Sequence, residues 1–554
     1  MSFGSSTSNE DGFPERMQSL YVSDQYPEFF RSTAEPPMFA PGTLARMNTM
    51  DALTDLLEEV ALEGSLSLVK AVIALGADPI YRSTGKLKKV KHEALQKATI
   101  NGRSKVVDFL LQKGASYGEA AKKSIYTPLD RALLAAVYKG HAELAACLIT
   151  SHGANPMVEQ WPREMYDTQH YWAESQVRLS KTSVLDGISK WRNVDRGMNL
   201  LKVIMQHPKF NPTALVSCVF DTKSELQTAE FNYRPWQTTY EYSALACFVR
   251  SGWADAVEEM LSMKGEPKDY EKEDEVLQYQ DKVARHISPV NALTKDTWEK
   301  RPEDAIRILR FLLDRNFDVS LAQRTASDMG QRTALGRALS ADAAQGVELI
   351  LQSKPGLVRE EISFRRDKQE TKGLPLTAAL CLDRLETARV LLRAGAHPRD
   401  PALEDMNVLQ FAVHQGGETN TSILAEMIGL SPELTYDALG IAIKRINKDA
   451  VRVLLDFISA AALRGQIAAL PPLYDMLLQC EDFDKDDVTK ENYLALISMV
   501  VAWDAYHGKS LVLNSKAQPH GEQGLWTMLE CCELTNRSNE WLGLLRHYGA
   551  PLYQ

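Results

Sequence analysis

The chain of 554 residues contains no Cys-x-x-Cys pair, and none of its 11 histidines lies three or four positions from another. The spacings by which zinc sites are recognised in sequence are therefore missing, and the expectation for metals, as for cofactors, is none. The seven cysteines, Cys147, Cys218, Cys247, Cys381, Cys480, Cys531 and Cys532, are odd in number and mostly scattered through apolar helical stretches. They read as small, buried, inert core residues of a reducing compartment, not as a disulfide framework. Long apolar runs are also lacking: a span needs about 18 apolar residues or more, and runs such as Ile497 to Trp503 are far shorter. Met1 to Arg16 has neither the cationic start nor the apolar core of a secretory signal, so the expected compartment is the cytoplasm, and the glycosylation sequons at Asn420 and Asn536 carry no meaning there. Positive charge is in deficit as well. With 63 Lys+Arg against 73 Asp+Glu, the net charge is −10, and such a surface repels phosphate backbones, which argues against direct nucleic-acid binding.

Catalytic signatures are similarly thin. Gly508-Lys509-Ser510 ends like a phosphate-binding loop, but the required first glycine is Trp503 and no strand precedes it. Asp482, Asp484, Asp486 and Asp487 begin like a calcium loop, yet Asp487 stands at the turn glycine and Tyr493 at the bidentate carboxylate. Asp486 to Glu491 approaches the paired-aspartate signature of helical terpene cyclases without its final carboxylate, and no Gly-x-Ser-x-Gly or Gly-x-Gly-x-x-Gly turn occurs.

What is present is a repeat. From Met50 onward, an apolar helix ends at Gly or a polar residue, and a second follows that closes in Gly-Ala-Asp/Asn-Pro. The clearest copy runs from Thr127-Pro128-Leu129-Asp130-Arg131-Ala132 through Gly140-His141 to Gly153-Ala154-Asn155-Pro156. Thr127 is placed to cap a helix whose first residue is Pro128, and Gly140 and Gly153 are placed to end the two helices. Gly76-Ala77-Asp78-Pro79, Gly114-Ala115, Gly395-Ala396-His397-Pro398 and Gly549-Ala550-Pro551 close other copies, while Asp328 to Leu335 and Leu374 to Ala379 open further ones. The string resembles the ankyrin repeat, with its Thr-Pro-Leu-His-x-Ala opening and a period of about 33 residues. Asp130 replaces the usual His, which is expected to weaken one inter-loop hydrogen bond.

The resemblance implies an all-α, curved, ankyrin-like solenoid of stacked helix pairs with long inter-repeat finger loops. Residues 1–49 read as an irregular lead-in, 50–465 as an array of some ten or eleven units together with the end module, and 466–554 as degenerate C-terminal repeats and cap, with a helix from Asn492 to Tyr506. Three inserts interrupt the array: 157–181 with Trp161, Arg163, Tyr166, Tyr171 and Trp172; 213–242 with Tyr233, Arg234, Trp236 and Tyr240; and the charged 268–288, whose stretch Asp269 to Asp281 reads as an exposed helix. Connections in this architecture leave one edge of the stack, so the three fingers are expected side by side. Their rings either hold the fingers together or meet a partner, aromatics and arginine being the residues that dominate binding hot spots.

The implied function is a non-catalytic, monomeric adaptor that binds a protein partner on its concave face and fingers. The alternative is an enzyme or small-ligand binder with an aromatic pocket between 157–181, 213–242 and the concave face, for which Glu164, Asp167 and His170, near His152, are the acid–base candidates. The basic run Lys86 to Lys91 reads as a solvated finger tip, with nuclear import as the other reading.

Overall fold

The computed structural model describes residues 50–79, 94–114, 127–160, 182–217, 238–263, 277–279, 282–321, 323–324, 331–366, 369–463, 487–506, 516–517, 526–527 and 539–548. The lead-in 1–49, the Lys86–Lys91 run, the acidic loop from Asp482 to Asp486, Gly508 to Ser510, and Gly549 to Pro551 lie outside the described residues. The chain divides into two compact units at the second insert: Met1–Asn211 with Val216–Asp221, and Pro212–Leu215 with Thr222–Gln554.

The N-terminal unit pairs α1 (Met50–Glu63) with α2 (Leu66–Ala74), α3 (Ala94–Ile100) with α4 (Ser104–Gln112), α5 (Pro128–Tyr138) with α6 (Ala142–Thr150), and α7 (Val184–Ser189) with α8 (Val194–Met205). The C-terminal unit continues the theme with α9 (Ala244–Ser251) and α10 (Ala254–Ser262), α11 (Lys295–Lys300) and α12 (Pro302–Asp314), and α13 (Ala334–Ser340) and α14 (Ala344–Ser353). It adds α15 (Pro375–Cys381) and α16 (Leu385–Arg393), α17 (Val408–Gln415) and α18 (Glu418–Leu430), α19 (Thr435–Lys444) and α20 (Lys448–Leu463), then α21 (Asp487–Tyr506) and α22 (Asn539–His547). Within each unit first helices stack on first helices, with the second helices lined up behind them. This is an all-α solenoid: each pair buries its apolar faces against its neighbours instead of around one central core.

The third repeat follows the sequence expectation closely. Thr127 Oγ1 accepts from the Asp130 amide at 3.1 Å, and the Asp130 carboxylate accepts from the Thr127 amide at 3.3 Å, a reciprocal capping box ahead of Pro128. Asp130 also makes a loop bond within its own repeat: its second carboxylate oxygen accepts from the Asn155 amide at 3.1 Å. Gly140 and Gly153 hold φ +78° and +74°, the left-handed conformation that ends each helix.

One device recurs between repeats. The residue leading into a second helix donates to a carbonyl at the end of the preceding repeat's first helix. Arg103 Nε reaches Leu62 O at 3.4 Å, His141 Nε2 meets Ile100 O at 2.9 Å, and Trp191 Nε1 reaches Val137 O at 2.8 Å. In the C-terminal unit Arg301 bonds Gly252 O, Arg384 bonds Ser340 O and Asn447 bonds Val413 O, at 3.3, 3.0 and 3.2 Å. Helix C-termini leave carbonyls without intrahelical partners, and here the next repeat supplies the donor. The staple demands space: a Cβ at Gly102 would lie 2.8 Å from the His141 ring. On the exposed faces, ion pairs such as Arg196–Glu143, Arg307–Asp255 and Arg389–Glu426 link successive second helices.

Three details depart from expectation. Leu277–Tyr279, inside the stretch read as an exposed helix, is a strand. Cys147 and Cys381 are only half-buried, whereas Cys247 is buried as expected. Helix α21 starts at Asp487, five residues before the expected Asn492.

Candidate functional site

The finger edge is built by short strands that precede first helices. In the N-terminal unit β1 (Glu159–Gln160) and β2 (Thr182–Ser183) pair antiparallel and pin both ends of the first insert. In the C-terminal unit β3 (Thr238–Ser243) runs parallel to β5 (Lys282–Ile287), which also pairs antiparallel with β4 (Leu277–Tyr279). The end of the second insert and the third insert therefore share one sheet, and Tyr240 stands opposite Arg285 in its register. Next come β6 (Gln323–Arg324) with β7 (Gln331–Arg332), and β8 (Ile362–Arg366) with β9 (Gln369–Gly373).

Of the residues singled out in sequence, only Tyr240 falls in this framework, through its backbone. Trp161, Arg163, Glu164, Tyr166, Asp167, His170, Tyr171, Trp172, Tyr233, Arg234 and Trp236 lie outside the described residues.

Behind the strands, three of the first helices expose little. Val184 to Ser189 of α7, Ala334 to Leu339 of α13 and Pro375 to Leu380 of α15 are buried at every position. Small residues such as Ala334, Gly336, Ala338, Ala378 and Ala379 let these helices sit close to their neighbours.

The best-defined cluster of polar side chains lies at the end of β8. Alternation along this strand buries Ile362 and Phe364 and leaves Arg366 at the rim. Its guanidinium donates to Gln415 Oε1 at 2.8 Å and Glu404 Oε1 at 3.4 Å, and lies 5.6 Å from the centre of the Phe411 ring. Glu404 sits in a loop closed by the Pro401–Asn407 bridge, where Glu404 and Asp405 both hold left-handed φ, +59° and +58°. Two consecutive non-glycine residues in that region store about 1–2 kcal/mol of strain each, and strain of this kind concentrates at recognition and switch segments. The other Glu404 oxygen is 3.9 Å from His414 Nε2, which also accepts a hydrogen bond from Arg445. Burial and the neighbouring Arg445 push His414 below its ordinary value of 6.5, with Arg366 adding to the shift and Glu404 opposing it. His414 is thus neutral at physiological pH, and its buried Nδ1 has no hydrogen-bond partner among the described residues. The group combines two guanidinium ions, a carboxylate, an amide and an imidazole around one aromatic ring, and the imidazole Nε2 is engaged by Arg445. Nothing in the sequence spacing pointed to it, because its members come from strand β8, the loop before α17, helix α17 and the end of α19.

A second constellation lies in the N-terminal unit, on the second helices. His152, noted in sequence beside the acid–base candidates, places Nε2 3.2 Å from Asp108 Oδ1. The same oxygen is 3.8 Å from Cys147 Sγ. All three side chains are half-buried or more open, Asp108 being the most exposed at 43%.

No family model matches the chain, and no curated protein matches it. Among solved structures it is similar to a crystal structure of the human ASB11 ankyrin repeat domain, at 15% identity, covering 54% of this chain and 97% of that one with a TM-score of 0.30. The helix pairs, Gly-ended turns and short strands of the described residues make this chain an all-α solenoid on their own evidence.

Proposed function

We propose that this protein is a non-catalytic scaffold that binds a protein partner on its finger edge, monomeric on its own and working in the cytoplasm. The observation that carries this reading is the division of labour described above. The first helices α7, α13 and α15 are buried along nearly their whole length, while Arg366 at the end of β8 and Glu404 in the loop before α17 present charged side chains. A helical stack that carries loops and short strands along an edge suits recognition of a macromolecule, in which arginine and aromatic side chains anchor the contact. The Arg366–Glu404–Gln415 group is one such anchor in the C-terminal unit. Trp161, Arg163, Tyr166, Tyr171 and Trp172 of the first insert, with Tyr233, Arg234, Trp236 and Tyr240 of the second, are proposed as the others.

The test is affinity capture of the tagged full chain with mass spectrometry, run beside Arg366→Ala and the triple variant Trp161→Ala, Trp172→Ala, Trp236→Ala. A stoichiometric partner that is lost in variants of unchanged circular dichroism supports the scaffold. Retention of a small molecule with no protein partner would overturn it in favour of a ligand-binding role.

A further inference from the structure

We propose that Asp108, Cys147 and His152 form a binding site for a zinc-class divalent ion that joins the second and third repeats. Asp108 comes from α4, Cys147 from the last turn of α6, and His152 from the turn that follows α6. Each offers one ligand atom, and the three atoms lie within 4.8 Å of one another.

The geometry meets the demands of the ion. Zinc bonds of about 2.3 Å to sulfur and about 2.0–2.2 Å to nitrogen and oxygen, at tetrahedral angles, separate sulfur from oxygen by about 3.6 Å and oxygen from nitrogen by about 3.4 Å. The observed separations of 3.8 and 3.2 Å lie within about 0.2 Å of these values, and the sulfur and the imidazole nitrogen are within 4.8 Å of each other. The donor set narrows the choice of metal. A thiolate with an imidazole favours zinc and its late first-row neighbours, whereas magnesium and calcium require oxygen ligands. Three protein ligands with a partly exposed carboxylate leave the fourth position to water, the open arrangement of zinc sites that can exchange ligands. On binding, the Cys147 thiol gives up its proton to solvent, the Asp108 carboxylate binds as it stands, and neutral His152 donates its Nε2 lone pair.

Sequence spacing could not reveal this site. Cys147 and His152 are five residues apart, and Asp108 lies 39 residues before Cys147, one repeat away. The repeat period is what brings them together, by setting α4 beside α6.

Two measurements on the metal-stripped full chain test the proposal. In the first, site-resolved alkylation followed by mass spectrometry reads the labelling rate of Cys147 alone. Zn2+ is expected to slow it by about tenfold or more, because the alkylating agent attacks a free thiolate, while Mg2+ leaves it unchanged. In the second, Co2+ is titrated in its place. The wild type is expected to develop a sulfur-to-cobalt charge-transfer band that Cys147→Ser and His152→Ala each diminish. Cys147 labelling that Zn2+ does not slow, equal protection by Mg2+, or a cobalt–thiolate band of full intensity in Cys147→Ser would each overturn the site. The alkylation arm uses the unmutated chain, so it holds even if a variant folds poorly.

Discussion

The inter-repeat staple makes a quantitative prediction at the pair His141 and Gly102. His141 Nε2 bonds Ile100 O at 2.9 Å, and the same ring occupies the space where a Cβ on Gly102 would project, 2.8 Å from Cε1. Replacing His141 with Ala removes one hydrogen bond and leaves a half-buried carbonyl unpaired, at a cost of about 1–2 kcal/mol. Gly102 holds φ +67°. Gly102→Ala therefore incurs about 1–2 kcal/mol of left-handed strain, and it also drives the His141 ring off its acceptor, adding about 1 kcal/mol. In the His141→Ala background the ring is gone and only the backbone strain remains. The two substitutions should then couple favourably by about 1 kcal/mol, where independent sites add to within about 0.3–0.5 kcal/mol. Urea unfolding of the wild type, both single variants and the double variant, followed by far-ultraviolet circular dichroism, closes the cycle. Strict additivity would refute the claim that the staple and the glycine are one device.

Other positions carry their own expectations. Ile446 ends α19 with φ +54°, a conformation that β-branched residues resist, so Ile446→Gly should raise stability by about 1 kcal/mol in the same unfolding assay. His414 is held below its ordinary 6.5 in the folded state, so the unfolded chain binds the extra proton between the two values, and stability should decline as pH falls from 6.5 toward the folded value. Thermal melts at a series of pH values should show that decline, and His414→Gln should flatten it; a slope unchanged in the variant would place the titrating group elsewhere.

Much of the architecture was legible because its signals are local. The Thr-Pro capping turn at 127–128, the helix-ending Gly140 and Gly153, and the opening at Leu374-Pro375 depend on backbone preferences acting within a few residues. The misreadings came where a neighbour decides the outcome. The loop bond of Asp130 went unread because its partner, Asn155, lies 25 residues away. Leu277–Tyr279 became a strand because Lys282–Ile287 offered it an edge, a choice that charge patterning cannot register. Cys147 looked like core because its helix is apolar, yet it sits beside Asp108 at the rim of the stack.

The sequence by itself determined the repeat theme, the all-α class and those helix ends that a cap or a glycine marks, such as Thr127–Pro128, Gly140 and Gly153, since these signals act along the chain. Only the tertiary structure decided which side chains meet. The staples, the Arg366–Glu404–His414 group and the Asp108–Cys147–His152 triad each join residues from different secondary-structure elements, and the staples and the triad join neighbouring repeats. Stacking is what turns one repeat period along the chain into a few ångströms of space.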